Sequence, residues 1–173
     1  LVQNLVGNKW KNYSVYVVDF TSGFVMGINE SSIFDAASIN KIPILAALYH
    51  EAGAGTINFS DTITMQQKDI QDYGTGSMRY DEPGTVYSIK TLANLMIKKS
   101  DNTAAYVLAN YVLKFKDIQS YIETLGTTQT DMIKNTTSNK DIALLFRKML
   151  NGEVASQALT QEMIDAGEEV TIS

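Results

Sequence analysis

Cysteine is absent from these 173 residues, which excludes disulfides, thiolate metal sites and cysteine nucleophiles together. Histidine occurs once, at His50, so a histidine-rich metal site is excluded and a Ser-His-Asp triad would have to use that single ring. Basic residues are outnumbered, 14 Lys and Arg against 19 Asp and Glu. With a net charge of −5 there is no surplus to neutralise phosphates, which argues against nucleic acid as a partner. No apolar run reaches the length of a membrane-spanning helix, and no basic-then-apolar leader opens the chain at Leu1. The opening Leu1-Val2-Gln3-Asn4-Leu5-Val6 instead reads like the end of a helix, as though a leader or first helix preceded it. What remains is ordinary globular composition, 45% hydrophobic and 19% charged, enough for one domain (residues 1–173) with a real core.

Hydrophobic periodicity divides the chain unevenly. Tyr13 to Phe20 is rich in aromatic and β-branched residues and reads as a strand. Thr21-Ser22-Gly23 is a turn signal and Phe24 to Ile28 a returning strand, so the start is a hairpin. From about Ser38 the pattern becomes helical through Tyr49 and stops at Gly53, with Pro43 early in the helix, where a missing N–H is tolerated. Residues Gly55 to Gly84 read as loops and short turns punctuated by Gly74, Gly76 and Gly84. Helices follow: one capped by Ser88, one from about Asn102 through Tyr111, and one from Lys116 to Leu125. Another starts at a capping-box-like Ser138…Asp141, and a last one follows Ser156. A lone hairpin is marginal in water, and the only other strand signal is a stub at Glu169 to Ile172. The sheet therefore reads as unfinished, with completing strands expected beyond Ser173.

Two short motifs can carry chemistry. Ser38-Ile39-Asn40-Lys41 is a Ser-x-x-Lys at a strand-to-helix transition, a spacing that places hydroxyl and ammonium on one helix face. Near a helix N-terminus the serine is favoured as a nucleophile, and a partly desolvated lysine can accept its proton. The plainer alternative is an N-capping serine followed by a solvated lysine, and Ser-x-x-Lys alone is common. Ser100-Asp101-Asn102 is far rarer by chance. Its hydroxyl can relay a proton to a leaving nitrogen and its carboxamide can hold a substrate amide, although all three residue types are also favoured N-caps.

Ala36-Ala37-Ser38-Ile39-Asn40-Lys41-Ile42-Pro43-Ile44-Leu45, Glu82-Pro83-Gly84-Thr85 and Leu95-Met96-Ile97-Lys98-Lys99-Ser100-Asp101-Asn102-Thr103-Ala104 resemble the corresponding stretches of class A β-lactamases. Ser-x-x-Lys and Ser-Asp-Asn are two of that family's signatures. Asn135-Thr136-Thr137 followed by Asp141-Ile142-Ala143 is similar to the helix entry after the family's Ω-loop. The resemblance implies an α/β (α+β) fold of the β-lactamase/transpeptidase-like kind, an antiparallel sheet packed with helices. It also implies a serine hydrolase that works without metal or organic cofactor and acts on a β-lactam or a peptidoglycan-like peptide. On it, Ser38 is the acylated nucleophile, Lys41 its proton acceptor and Ser100 the shuttle to the leaving nitrogen. Asn102 contacts the substrate amide, and the Ser38 N–H is one half of the oxyanion hole. Tyr73 matches the aromatic residue at the pocket rim, although packing explains a tyrosine there as well. An extracytoplasmic location in a bacterium is the corresponding expectation.

Two departures qualify the resemblance. The family's Ω-loop carries a glutamate that activates water, and here only Thr127 to Lys134 separate Gly126 from Asn135. Asp131 keeps the family's spacing to Asn135 and is the candidate water-activating residue, but its side chain is one methylene shorter and a turn aspartate is the plainer reading. Slow or absent deacylation is the expectation. No Lys-Thr-Gly or equivalent follows Gly152, so the strand bearing the second oxyanion donor is missing. The chain is then expected to be a fragment open to complementation by those strands, with a split assembly or a degenerate relative as alternatives. A D-Ala-D-Ala peptidase and a non-catalytic scaffold for cell-wall ligands or a partner protein remain the other functional readings.

Overall fold

The computed structural model describes residues 12–168. The hairpin forms as its composition predicts: β1 (Val15–Val18) pairs antiparallel with β2 (Val25–Ile28), Val15 opposite Ile28 and Val18 opposite Val25. Its turn is fixed by the Asp19 carboxylate, which accepts the Thr21 N–H at 2.9 Å and the Ser22 hydroxyl at 2.5 Å. Two shorter ladders accompany it. β3 (Phe34–Asp35) pairs with β6 (Thr136–Thr137), and β4 (Thr62–Thr64) pairs with β5 (Val86–Ser88). β4 lies inside the stretch read as loops, since three residues are too few to show a period of two. Among the described residues the sheet is thus three two-stranded pieces, a partial sheet. The expected stub at Glu169 to Ile172 and the helix end at Leu1 to Val6 lie outside the described residues.

The helices are α1 (Lys41–Gly53), α2 (Ile89–Lys98), α3 (Asn102–Val107), α4 (Phe115–Thr124), α5 (Asn139–Leu150) and α6 (Gln157–Glu168). α1 is the axis of the core. Ile44 through Tyr49 are all buried, which is why its sequence is apolar all round instead of striped. It packs against α2, α4, α5 and α6. The sequence pattern places the start of α1 at Ser38, whereas Ala37–Asn40 form a 3₁₀ turn and the α-helix starts at Lys41. α3 does not continue regularly to Tyr111 either, because Leu108–Leu113 are π-helical. There the Asn110 side chain donates to the Tyr106 carbonyl at 2.9 Å, a local bond that competes with the ordinary ladder.

Side-chain caps agree with the sequence at two helices. Ser88 Oγ accepts the Thr91 N–H at 3.1 Å and Ser138 Oγ accepts the Asp141 N–H at 3.1 Å. The second is not a reciprocal box. Asp141, buried, instead takes the N–H groups of Thr128 and Gln129 and the Thr130 hydroxyl at 2.7–3.0 Å, tying the short 127–130 connection onto α5. Among the described residues one face is apolar and exposed, with Phe20, Phe146 and Leu150 beside Ile42 and Ile97 around a cavity of about 300 Å³.

Candidate active site

The two motifs, 62 positions apart, meet at one nitrogen. Lys41 Nζ lies 3.0 Å from Ser38 Oγ, 3.0 Å from Ser100 Oγ, 2.7 Å from the Ser100 carbonyl and 2.8 Å from Asn102 Oδ1. Ser100 Oγ in turn donates to Ser38 Oγ at 3.0 Å. Four acceptors surround a group that has three protons as an ammonium. A neutral amine fits the same shell better. Its two protons go to the carbonyl and the carboxamide oxygen, which only accept, and its lone pair faces a hydroxyl that can donate. Burial pulls the Lys41 pKa below its ordinary value, opposed by the charge of Asp101. The solvated-lysine alternative is therefore wrong, since Lys41 is 5% exposed. Ser38 itself is exposed at the mouth of a cleft of about 290 Å³.

Backbone conformation aims these groups. Ala37 (φ +47°) and Ser100 (φ +50°) both occupy the left-handed region, a departure costing roughly 1–3 kcal/mol each that is retained where surrounding contacts over-determine it. At Ser100 this bend turns the chain from α2 into α3, presenting the hydroxyl to Ser38 and the carbonyl to Lys41. Asp101 supplies the N-cap of α3, accepting the Ala104 N–H at 3.0 Å, and its other oxygen accepts the Met78 N–H at 2.9 Å. So capping is real at this motif, but it falls to Asp101, leaving Ser100 and Asn102 for the cleft. The loop at 73–76 wraps over them. Thr75 donates its hydroxyl to the Ser100 carbonyl, and Asn102 Nδ2 donates to the Tyr73 carbonyl at 3.0 Å. Gly74 and Gly76 permit this approach, because a Cβ at either would overlap Asn102 or Asp101 and both have positive φ.

Tyr73 lines the cleft and is 64% exposed, as a rim residue would be. Asp131 is placed elsewhere. Its carboxylate accepts the N–H groups of Ile133 and Lys134 and pairs with the Lys134 ammonium at 3.0 Å, bonds that hold its pKa below the usual carboxylate range. Among the described residues no carboxylate lines the cleft. His50 stacks on Tyr121 with ring centroids 4.1 Å apart, a packing role.

Sequence reasoning missed the anchoring of the nucleophile turn. Asn135 accepts the Ala36 N–H through its carbonyl and the Asn40 side-chain N–H through Oδ1, both at 2.8 Å, so one residue grips the turn on either side of Ser38. Asn40 and Asn135 are 95 positions apart, and nothing local signals the pair. Tyr106 and Phe115, also cleft residues, carry only the signature of core packing.

Helices packed on partial antiparallel ladders, with a serine, a buried lysine and a second serine in mutual contact, define a β-lactamase-like serine hydrolase of class A-like structure. Comparison with known proteins agrees. The model of the β-lactamase enzyme family matches residues 1–168, and the chain belongs to that family. Among solved structures, PBP-A superposes with a TM-score of 0.87 at 26% identity over 99% of this chain and 68% of that one. A point mutant of PBP-A, solved as an acyl-enzyme complex with penicillin G, gives the same figures. A β-lactamase from Sphaerobacter thermophilus matches at 26% identity and a TM-score of 0.81, over 92% of this chain and 63% of its own. A variant of a reconstructed class A ancestor of Gram-negative bacteria, at 24% identity and a TM-score of 0.82, supports the fold alone. The chain thus spans about two thirds of the structures it matches.

Proposed function

We propose that this chain forms an acyl-enzyme on Ser38 with a β-lactam or a related amide and releases it slowly or not at all. The observation that carries the proposal is the contact of Lys41 Nζ with both Ser38 Oγ and Ser100 Oγ at 3.0 Å. Lys41, as the neutral amine, accepts the Ser38 proton while Oγ attacks the carbonyl carbon. The Ser38 N–H supplies one oxyanion donor. As the tetrahedral intermediate collapses and the C–N bond breaks, Ser100 gives its proton to the leaving nitrogen and is reprotonated by the Lys41 ammonium. Atoms and charge balance, and Lys41 returns to the amine.

Release needs a base for water. With no carboxylate among the described cleft residues, and Asp131 a weakened base committed to its own turn, hydrolysis of the ester lacks an activator. The acyl-enzyme of the PBP-A mutant with penicillin G supports β-lactams as the substrate class. A D-alanyl peptide has the same reacting group, and a chain using either acts outside the bacterial cytoplasmic membrane. A purely scaffolding role has less support, because it gives no reason for a buried lysine among two hydroxyls. The test is labelling with a fluorescent penicillin. The chain takes up label, and Ser38→Ala takes up none; equal labelling of both, or of neither, defeats the proposal.

A further inference from the structure

A second cavity, of about 270 Å³, opens between the C-terminal half of α1, the π-helical stretch Leu108–Leu113 and α4. It shares no lining residue with the cleft of Ser38, and Glu51 stands about 15 Å of helix beyond Lys41 along α1. Its walls are aliphatic, with Ala47, Leu113 and Ile118 buried. Two carboxylates, Glu51 and Asp117, line it together with Tyr121, and no basic side chain is among its described lining residues. The Thr56 hydroxyl donates to the Glu51 carboxylate and holds it in place. Neither Glu51 nor Asp117 has an ion-pair partner among the described residues.

The Tyr121 ring is fixed by its stacking on His50, yet its hydroxyl oxygen is buried with no hydrogen-bond partner among the described residues. A buried polar atom of this kind is uncommon, and a bound donor is one way to satisfy it. Burial and the charge of Glu51 push the Tyr121 pKa up to about 12, so at neutral pH the phenol is intact and its lone pairs can accept an N–H. The wall at Val112 and Leu113 belongs to the π-helical stretch, a departure from the α-helix that recurs at functional sites.

We propose that this cavity is a second binding site, for a small organic cation that carries a primary ammonium on an apolar body. The three ammonium protons suit the two carboxylates and the Tyr121 hydroxyl oxygen, while the body is removed from water against the aliphatic wall. An anion meets two like charges there, and an uncharged isostere gains the apolar contact alone. None of this depends on the chemistry at Ser38.

The test is a ligand-observed NMR titration of the whole chain with benzylamine, benzyl alcohol and benzoate, three compounds with one ring and different charges. Benzylamine binds about tenfold tighter or more than benzyl alcohol, and benzoate binds more weakly than either. Asp117→Asn removes a charge at an exposed position in the first turn of α4, and Tyr121→Phe removes a hydroxyl and keeps the ring. Each weakens benzylamine about threefold or more and leaves benzyl alcohol unchanged. Should Asp117→Asn fail to fold, Glu51→Gln takes its place. Absence of benzylamine binding, equal affinity for benzylamine and benzyl alcohol, or a benzylamine affinity that either variant leaves unchanged overturns the site.

Discussion

Replacing Lys41 with Met isolates the proposed proton acceptor while keeping the length and apolar stem of the side chain. In the folded chain Nζ contacts four groups at 2.7–3.0 Å. The Ser100 carbonyl keeps the Thr75 hydroxyl as a donor at 2.8 Å, whereas Asn102 Oδ1 loses the Lys41 donor. One unsatisfied acceptor costs about 1–3 kcal/mol, and Met keeps the buried apolar stem, so the variant stays folded. Acylation, in contrast, loses its base and slows by about 10²–10⁴. The pH dependence adds a second reading. Only the neutral amine accepts the proton, so the rate of the unmodified chain rises with pH and levels off above the lowered Lys41 pKa, short of the ordinary 10.5. Between those two values the unfolded chain binds more protons than the folded one, so stability also rises with pH there; below that window the buried ammonium exerts its full penalty. The rise in rate and the lysine's contribution to the stability slope are both lost in Lys41→Met. Stopped-flow acylation with a reporter penicillin and urea titrations across pH measure them. A variant that acylates within about tenfold of the parent, or a parental rate still climbing at pH 10.5, refutes the assignment.

Three other substitutions probe the supports of the site. Gly76→Ala forces a Cβ against Asp101 at a φ of +122°, and is expected to lower stability by about 2 kcal/mol or more and to abolish acylation, seen as a fall in Tm and loss of label. Asn135→Asp brings a carboxylate into the cleft beside the nucleophile turn, and shortens the lifetime of the adduct by about tenfold or more in a chase experiment. Ser138→Ala removes the cap of α5 and costs about 1 kcal/mol in urea unfolding, with the acylation rate unchanged.

Legibility in the sequence followed the range of the interaction. The hairpin, α1 and the caps at Ser88 and Ser138 are local, and residue type and period disclose them. Ser38 and Lys41 are one helical turn apart, and the rarity of Ser100-Asp101-Asn102 marked the partner motif even though 62 positions intervene. What escaped depends on partners far along the chain or on backbone bends. The β3–β6 ladder has two residues a side. The grip of Asn135 on Ala36 and Asn40 carries no spacing rule. The π-helical stretch after α3 has no local signal beyond an asparagine whose side chain bonds the Tyr106 carbonyl, and Asp141 looked like half of a capping box but serves the 127–130 connection. Asp131 had the right spacing to Asn135 for a water activator. Its oxygens are instead occupied by the amides of its own turn, a short-range competition that sequence spacing does not reveal.

The central claim, a lasting acyl-enzyme on Ser38, is tested most directly by intact-mass measurement during a chase. The chain is incubated with benzylpenicillin, the excess is removed, and the mass is followed for hours. One added penicilloyl group, mapped to Ser38, is expected to persist over the chase. Rapid return to the unmodified mass would contradict slow release, and an adduct on any other residue would contradict the assignment of the nucleophile.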